Sequence, residues 1–196
     1  IKGFVFVFGD SFFSLKSLPI ATYFLSSYVV YLIVVELYKN KELGIIAGTS
    51  FYLLPAVSVS SFLISTDVFL IFFWSLSLLY LLKIRRNQNY INYLLLGIFL
   101  GISLLTKYAA IYFFLCLALF LFFEKEYRKL FFKKILNSVL FISSFVLIVL
   151  PNILWNTKNN WVTLSHTSDN ASLNRIDVDV LRGLEFFITQ GIMIGP

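Results

Sequence analysis

Apolar residues dominate six long stretches of this chain, and short polar segments separate them. The stretches cover Leu18–Tyr38, Leu43–Ile64, Val68–Leu82, Ile91–Leu105, Tyr108–Phe123 and Ile135–Trp155. A helix needs about 20 mostly apolar residues, and at least about 17, to cross a bilayer. The third, fourth and fifth stretches are shorter and need polar flanks that snorkel or neighbouring helices that cover them, so buried helices of a soluble protein are the alternative for these three. Six stretches in series predict an all-α, polytopic transmembrane helical bundle.

The Lys and Arg residues cluster in every second segment between the apolar stretches. Ten of the sixteen lie there: Lys39, Lys41, Lys83, Arg85, Arg86, Lys125, Arg128, Lys129, Lys133 and Lys134. Because basic loops remain in the cytoplasm, the alternate segments are predicted to face outward. These are Ile1–Ser17, Ser65–Asp67, Thr106–Lys107 and Asn156–Arg182. The pattern predicts one multi-pass domain in the cell (inner) membrane, with six membrane helices over 18–155, an external loop over 156–182 and the start of a seventh helix over 183–196.

The composition agrees with a membrane protein. Hydrophobic residues make up 59% of the chain and charged residues 13%, whereas a soluble domain has about 25% charged residues. The net charge of +6 does not indicate a nucleic-acid partner, because the basic residues lie at predicted membrane edges. The chain begins without Met and ends just after Phe186–Ile194 starts another apolar stretch. We therefore expect a fragment of a longer membrane protein.

Small residues and one proline punctuate the predicted helices. Gly44 and Gly48 have the four-residue spacing that lets helix backbones approach closely, and Gly97 and Gly101 repeat it. The spacing predicts helix packing and nothing more. Pro55 is expected to kink the second predicted helix, because proline removes a backbone hydrogen bond.

The candidate chemistry lies on the predicted outer face. Asp67 starts the third helix in a polar loop without a basic neighbour, so it is either a helix cap or a site residue. Lys107 interrupts an apolar run on the side where positive residues are disfavoured. An ionisable residue at membrane depth is a functional candidate. Lys107 therefore either binds a lipid phosphate as a point charge or anchors the helix at the interface.

A second candidate region combines indole and amide side chains. Trp155, Asn156 and Trp161 lie close together in the sequence, and His166, the single histidine, follows. Tryptophan at a membrane boundary is ordinarily an interfacial belt residue. It can also stack on a sugar ring while asparagine hydrogen-bonds the sugar hydroxyls. Both interpretations remain open for this region.

Ordered motifs along nearly the whole chain resemble those of the bacterial relatives of dolichyl-phosphate-mannose protein mannosyltransferases. The similar segments are Phe8-Gly9-Asp10-Ser11, Ser65-Thr66-Asp67 with the apolar residues through Trp74, Gly101 to Tyr108, Pro151 to Asn156, Asn160-Trp161-Val162-Thr163 with His166, and Glu185-Phe186-Phe187 with Gln190. Asn160 stands where the family usually has glycine. The resemblance implies a GT-C fold.

The resemblance also implies an activity, namely transfer of a sugar, with inversion, from a polyprenyl-phosphate donor to a glycan, lipid or protein acceptor on the outer face. The family's principal catalytic Asp falls upstream of Ile1, so we expect the fragment to be inactive alone. Asp67 matches a second acidic position, which in some relatives helps to hold a divalent metal ion. Lys107 matches a lysine that we expect near the donor phosphate. Trp155, Asn156, Trp161 and His166 become candidate substrate-binding residues.

Two other functional classes remain as alternatives. A transporter or flippase for a lipid-linked or small solute would have charges at the membrane midplane and helices broken by Gly or Pro. An accessory membrane subunit would carry no chemistry. The ionisable residues of this chain gather at the predicted outer ends of the helices, which favours the transferase.

Overall fold

The computed structural model describes residue 9, residues 12–170 and residues 180–194 of the chain. This part of the chain is helical and contains no strand, which confirms the all-α prediction. The helices are α1 Phe12–Tyr38, α2 Lys41–Leu53, α3 Pro55–Ser60, α4 Thr66–Arg86, α5 Tyr90–Thr106, α6 Ile111–Phe123, α7 Lys125–Lys133, α8 Ile135–Lys158, α9 Val162–Asn170 and α10 Val180–Ile194, with a 3₁₀ turn over Tyr108–Ala110.

Helix α5 is the centre of the packing. It contacts α4 on one side and α8 on the other, while α1 packs against α2 and α4. Tyr93, Leu96 and Leu100 of α5 have no exposed surface, and they form the middle of the main apolar cluster. Many large apolar side chains remain on the outside of the bundle, including Phe122 and Leu136 at 70% and 79% exposure. Such a surface is suited to lipid.

The two predicted glycine pairs do bring helices together. A Cβ at Gly101 would lie 2.8 Å from Cβ of Ile148 on α8, and one at Gly97 would meet Ser144 Oγ and the Phe141 carbonyl. A Cβ at Gly48 would lie 2.9 Å from the Ser27 carbonyl on α1. Only a residue without a side chain fits these positions, so the packing prediction is confirmed.

Three helices are long and apolar enough to cross a membrane. They are Leu15–Tyr38, Thr66–Arg86 and Ile135–Lys158 among the described residues. The segments Tyr108–Phe123 and Lys125–Lys133 would give a fourth span as a pair, but they are bent by 103° relative to each other. Tyr90–Thr106 is apolar but shorter. The count of six membrane helices therefore stays a prediction.

The prediction of one continuous helix over Leu43–Ile64 is wrong. Helix α2 ends at Leu53, and Leu54 has an extended ψ of 133° before Pro55 begins α3. A proline ring excludes the helical conformation from the residue before it, and proline is well suited to a first helical position. The expected kink at Pro55 is thus a complete break.

The basic segments meet at one end of the bundle. Glu36 of α1 pairs with Lys39 at 2.9 Å and with Arg86 of α4 at 3.5 Å. Arg85 pairs with Glu126 of α7 at 3.0 Å. Because α4 runs from Thr66 to Arg86, its other end carries Asp67 and lies at the end of the bundle predicted to face outward. The grouping of the loops agrees with the charge alternation, and the side of the membrane that each end faces stays a prediction.

Candidate active site

Asp67 lies in the first turn of α4, and a neighbouring serine performs the capping. The Ser65 hydroxyl accepts a hydrogen bond from the Asp67 N–H at 3.1 Å and donates one to Asp67 Oδ2 at 3.0 Å. Ser65 is the N-cap residue, with an extended backbone. Its oxygen satisfies an amide that the helix leaves unpaired. The Asp67 carboxylate therefore has one oxygen available for a partner outside its own helix.

That partner is Lys107, forty residues further along the chain. Lys107 ends α5 in an extended conformation, with φ −159° and ψ 132°. Its Nζ donates to Asp67 Oδ1 at 2.5 Å, and the two side chains are 46% and 49% exposed. An exposed ion pair contributes about 0–1 kcal/mol to stability. Its main consequence is positional, because it holds an ammonium group at one accessible place.

A cavity of about 550 Å³ opens beside Lys107. Its lining residues are Lys107, Tyr108, Ala109, Ile111, Tyr112 and Thr167. A second cavity of about 410 Å³ shares Tyr108 and Ile111 with the first and is lined mainly by apolar residues, together with Asn152, Asn156 and Trp161. A charged cavity thus adjoins an apolar one, an arrangement that suits a ligand with an anionic head and a hydrocarbon tail.

Asn156 is buried and hydrogen-bonded within the protein. It is 2% exposed. Its Nδ2 donates to the Asn152 carbonyl at 3.0 Å and to Asn152 Oδ1 at 3.2 Å, and its Oδ1 accepts from the Thr163 hydroxyl. Tyr108 joins the same group of side chains through its hydroxyl. Its amide lies inside a polar cluster, and Asn156 also lines the second cavity, so its predicted role in substrate binding stays a prediction.

Tyr108, Asn152 and Thr163 lie in segments that carry the family resemblance, but none of them was predicted as a site residue. The i, i+4 spacing of Asn152 and Asn156 does place the two amides on one face of a helix. Tyr108 directly follows Lys107, and this position next to a candidate site residue could have indicated Tyr108 from the sequence. The contacts of Tyr108 and Asn156 with Thr163 depend on the turn between α8 and α9, which the pattern of apolar residues does not predict.

The turn between α8 and α9 has an uncommon backbone conformation. Asn160 and Trp161 have φ values of 53° and 55°, both in the left-handed region. Asparagine tolerates this region better than most side chains, and glycine tolerates it freely. This explains why Asn160 can stand where glycine was expected. Trp161 is 44% exposed and lines the apolar cavity.

The other two candidate substrate-binding residues lie on exposed surfaces. Trp155 of α8 is 50% exposed, and His166 of α9 is also exposed. The segment predicted as an external loop, 156–182, contains helix α9. Residues 171–179 of this segment lie outside the described part of the chain. A substrate-binding role for Trp155, Trp161 and His166 stays a prediction.

The described residues around Asp67 do not fit a divalent metal ion. Both carboxylate oxygens already accept hydrogen bonds, one from an ammonium group. No group of three or more His, Cys, Asp or Glu side chains that could hold a metal occurs in the described part of the chain. Hard cations prefer several oxygen ligands and are repelled by a neighbouring ammonium.

Comparisons with known proteins found sequences that are similar to this chain. The sequence profile described as dolichyl-phosphate-mannose-protein mannosyltransferase matches residues 1–155, which include Asp67, Lys107 and Trp155. A lipid A galacturonosyltransferase of Rhizobium johnstonii is 30% identical over 149 residues, or 76% of this chain. The chain spans 31% of the length of that relative. No solved structure matches the chain.

Proposed function

Since the chain belongs to the dolichyl-phosphate-mannose-protein mannosyltransferase family, which is a GT-C family, we propose that the protein is a membrane glycosyltransferase. It transfers a sugar from a polyprenyl-phosphate donor to a glycan, lipid or protein acceptor at the outer face of the inner membrane. The observation that carries this proposal is the Lys107 ammonium, held by Asp67 beside a cavity of about 550 Å³.

The chemistry of the transfer requires a cation at the donor. When the sugar leaves polyprenyl phosphate, negative charge develops on the phosphate oxygens, and a preorganised positive group stabilises it. A lysine ammonium has three N–H donors, and Asp67 takes one of those of Lys107. Two donors are therefore available for phosphate oxygens. In this proposal the phosphate binds at Lys107 and the lipid chain lies along the apolar cavity, which shares Tyr108 and Ile111 with the charged one.

Asp67 supports Lys107 in this proposal and does not act as the general base. A carboxylate that accepts hydrogen bonds from an ammonium and a hydroxyl has little tendency to take a proton from an acceptor hydroxyl. Asp67 instead holds the ammonium in place through the ion pair. In this proposal the general base is the principal catalytic Asp that the family resemblance implies, and not Asp67.

The choice of substrates for a first assay follows from the relative. Its name describes transfer of galacturonic acid to lipid A. We propose a lipid-linked sugar as donor and a component of the cell envelope as acceptor, and lipid A is the first acceptor to test. Nothing in the comparisons favours the transporter or flippase alternative.

The proposal is tested by changing the charge at Lys107 in the full-length protein. Polyprenyl-phosphate hexoses, pentoses and uronic acids are first screened for the donor that the wild type uses. Lys107→Gln is then expected to lower donor-dependent transfer by about ten- to a hundredfold, the value of a charge-assisted hydrogen bond. Lys107→Arg keeps the charge with a different geometry and should retain part of the activity.

A matched control distinguishes the donor site from a general charge effect. Lys158 is exposed at the end of α8, on the same predicted face, and Lys158→Gln should leave transfer within about twofold of the wild type. An interfacial anchor at Lys107 predicts tolerance of both Gln and Arg. Unchanged donor kinetics in Lys107→Gln would overturn the phosphate-binding role.

A further inference from the structure

A cluster of four hydrogen-bonded side chains lies directly beside Lys107. The Tyr108 hydroxyl lies 3.0 Å from Asn152 Oδ1 and 3.0 Å from the Thr163 hydroxyl, and it donates its single proton to one of these two oxygens at a time. Asn156 completes the cluster, with its Nδ2 lying 3.4 Å from the Tyr108 hydroxyl. The four residues come from the 3₁₀ turn, α8 and α9, so the cluster joins three elements at one point.

We propose that this cluster, defined as Tyr108, Asn152, Asn156 and Thr163, positions Lys107 for contact with the donor phosphate. The inference rests on the proposed function and assigns these four residues as positioning residues. They act through Lys107 and need not touch the reacting atoms. None of the four was assigned this role by the sequence patterns.

The backbone at Lys107 needs such an anchor. Helix α5 has ended there, and the Lys107 N–H makes its last helical hydrogen bond, to the Ser103 carbonyl at 3.1 Å. The following 3₁₀ turn has only three residues. The Lys107 side chain is held from α4 by Asp67, and the Tyr108 hydroxyl holds the next residue to α8 and α9. Two fixed points, one at the side chain and one at the adjacent residue, define where the ammonium lies.

The frame behind the cluster is rigid. Helix α8 packs against α5 through Gly97 and Gly101, where backbones approach too closely for a side chain. Asn152 and Asn156 extend from the same helix toward Tyr108. Small residues therefore set the distance between α5 and α8. The hydrogen bonds of Asn152 and Asn156 with Tyr108 then hold the turn after Lys107 at a fixed position relative to α8.

The cluster also sets the opposite wall of the charged cavity. Thr163 and Thr167 lie one turn apart on α9, and the Thr167 hydroxyl donates to the Thr163 carbonyl at 2.7 Å. Thr167 lines the cavity together with Lys107. The hydrogen bonds of Thr163 to Tyr108 and Asn156 thus hold the α9 wall at a defined distance from the ammonium.

The composition of the cluster favours positioning over stability. Asn156 is 2% exposed, and both ends of its amide have partners. Buried polar groups are costly unless every member is satisfied, and apolar residues of similar volume stabilise as well or better. A buried amide paired at both ends at this place specifies one geometry for the turn and for α9.

A double-mutant cycle in the full-length protein tests the inference. Tyr108→Phe removes only the hydroxyl and is expected to lower kcat/KM for the lipid-linked donor about tenfold, with the acceptor KM unchanged. In the Lys107→Gln background the same substitution should cost less than about twofold, because the group that it positions is gone. If the two effects multiply, Tyr108 does not act through Lys107 and the inference is overturned.

A matched control removes a similar hydrogen bond far from the site. The Tyr93 hydroxyl of α5 donates to the Leu130 carbonyl of α7 at 3.2 Å, near the other end of the bundle. Tyr93→Phe should lower the midpoint of thermal unfolding about as much as Tyr108→Phe and leave donor kinetics unchanged. An equal loss of donor kcat/KM in both variants would show a structural effect only and would overturn the inference.

A second pair of variants covers the case in which Tyr108→Phe does not fold. Thr163→Val removes the hydroxyl from the cluster, and Thr163→Ser keeps it. The Val variant should lose donor kcat/KM and the Ser variant should recover it, whereas equal kinetics in the two would contradict the inference. The proposed function fails separately, when Lys107→Gln alone leaves transfer unchanged.

Discussion

At the scale of single residues, the sequence identified Asp67 and Lys107 but not their contact. Each was predicted because an ionisable side chain borders an apolar run on the face that lacks basic residues. The distance of 2.5 Å between Lys107 Nζ and Asp67 Oδ1 depends on how α4 packs against α5, and a local sequence pattern does not predict this packing. The alternative for Asp67 as the helix cap is not confirmed, because Ser65 has that function.

A substitution at Asp67 separates charge from fold. Asp67→Asn keeps one oxygen that can accept from Lys107, and its amide nitrogen can donate to the Ser65 hydroxyl. The free energy of unfolding should therefore change by less than about 1 kcal/mol. Transfer in the full-length protein should fall about tenfold, because a hydrogen bond to a neutral acceptor is roughly half as strong as one to a carboxylate. The measurement is the donor saturation curve together with the unfolding midpoint.

The control for Asp67 lies at the same predicted end of the molecule. Asp169 of α9 is exposed, and Asp169→Asn should behave as the wild type in both measurements. Lost expression of Asp67→Asn with normal turnover per folded molecule would return Asp67 to a structural role and separate it from the site.

At the scale of elements, glycine spacing predicted helix contacts correctly, whereas three local features were not predicted. Helix α2 breaks at Leu54, α7 turns 103° from the preceding helix, and α9 forms inside the expected loop. A hydropathy pattern shows how apolar a segment is, but it does not predict where a helix breaks or in which direction the next helix runs. Helix α9 has little apolar character, and Thr163 on α9 makes contacts with Tyr108 and Asn156 that depend on the tertiary arrangement.

The packing of α5 against α8 makes a specific stability prediction. A Cβ at Gly97 would meet Ser144 Oγ and the Phe141 carbonyl, so Gly97→Ala must displace one helix. Overpacking of this kind costs about 1–3 kcal/mol. The unfolding midpoint of the purified protein in detergent should fall accordingly.

Gly183 is the matched control for this prediction. It lies in α10, and a Cβ there would meet nothing within 4 Å. Gly183→Ala should be neutral or should stabilise by up to about 1 kcal/mol through helix propensity. If Gly97→Ala melted at the wild-type temperature or above, the close approach of α5 and α8 would be contradicted.

At the scale of the whole molecule, the charge alternation predicted which segments share an end. Glu36, Arg86 and Lys39 meet at one end, and Asp67 and Lys107 meet at the other. The cluster around Tyr108 lies at that second end and was not predicted, because its members are separated by up to 55 residues along the chain. Periodicity and charge thus indicate the ends of the bundle, while side-chain contacts at an end depend on the tertiary packing.

The central claim is that a cavity on the outer face holds the lipid-linked donor beside Lys107. Thr167 lines this cavity, and Asn87 follows α4 at the opposite end. A single cysteine is placed at either position in a Cys116→Ser background. Its labelling reports on which side of the membrane the position lies, and at Thr167 it also reports whether the cavity is occupied. The measurement is the rate of labelling by a membrane-impermeant thiol reagent in right-side-out vesicles that contain the full-length protein.

The account predicts that Thr167→Cys is labelled from outside and that added polyprenyl-phosphate sugar slows its labelling, whereas polyprenol without phosphate does not. Asn87→Cys should react only after the vesicles are permeabilised. The opposite pattern, with Asn87→Cys labelled in sealed vesicles and Thr167→Cys protected until permeabilisation, would contradict the orientation and the site together. Labelling of Thr167→Cys from outside at a rate that the donor does not change would contradict the donor site.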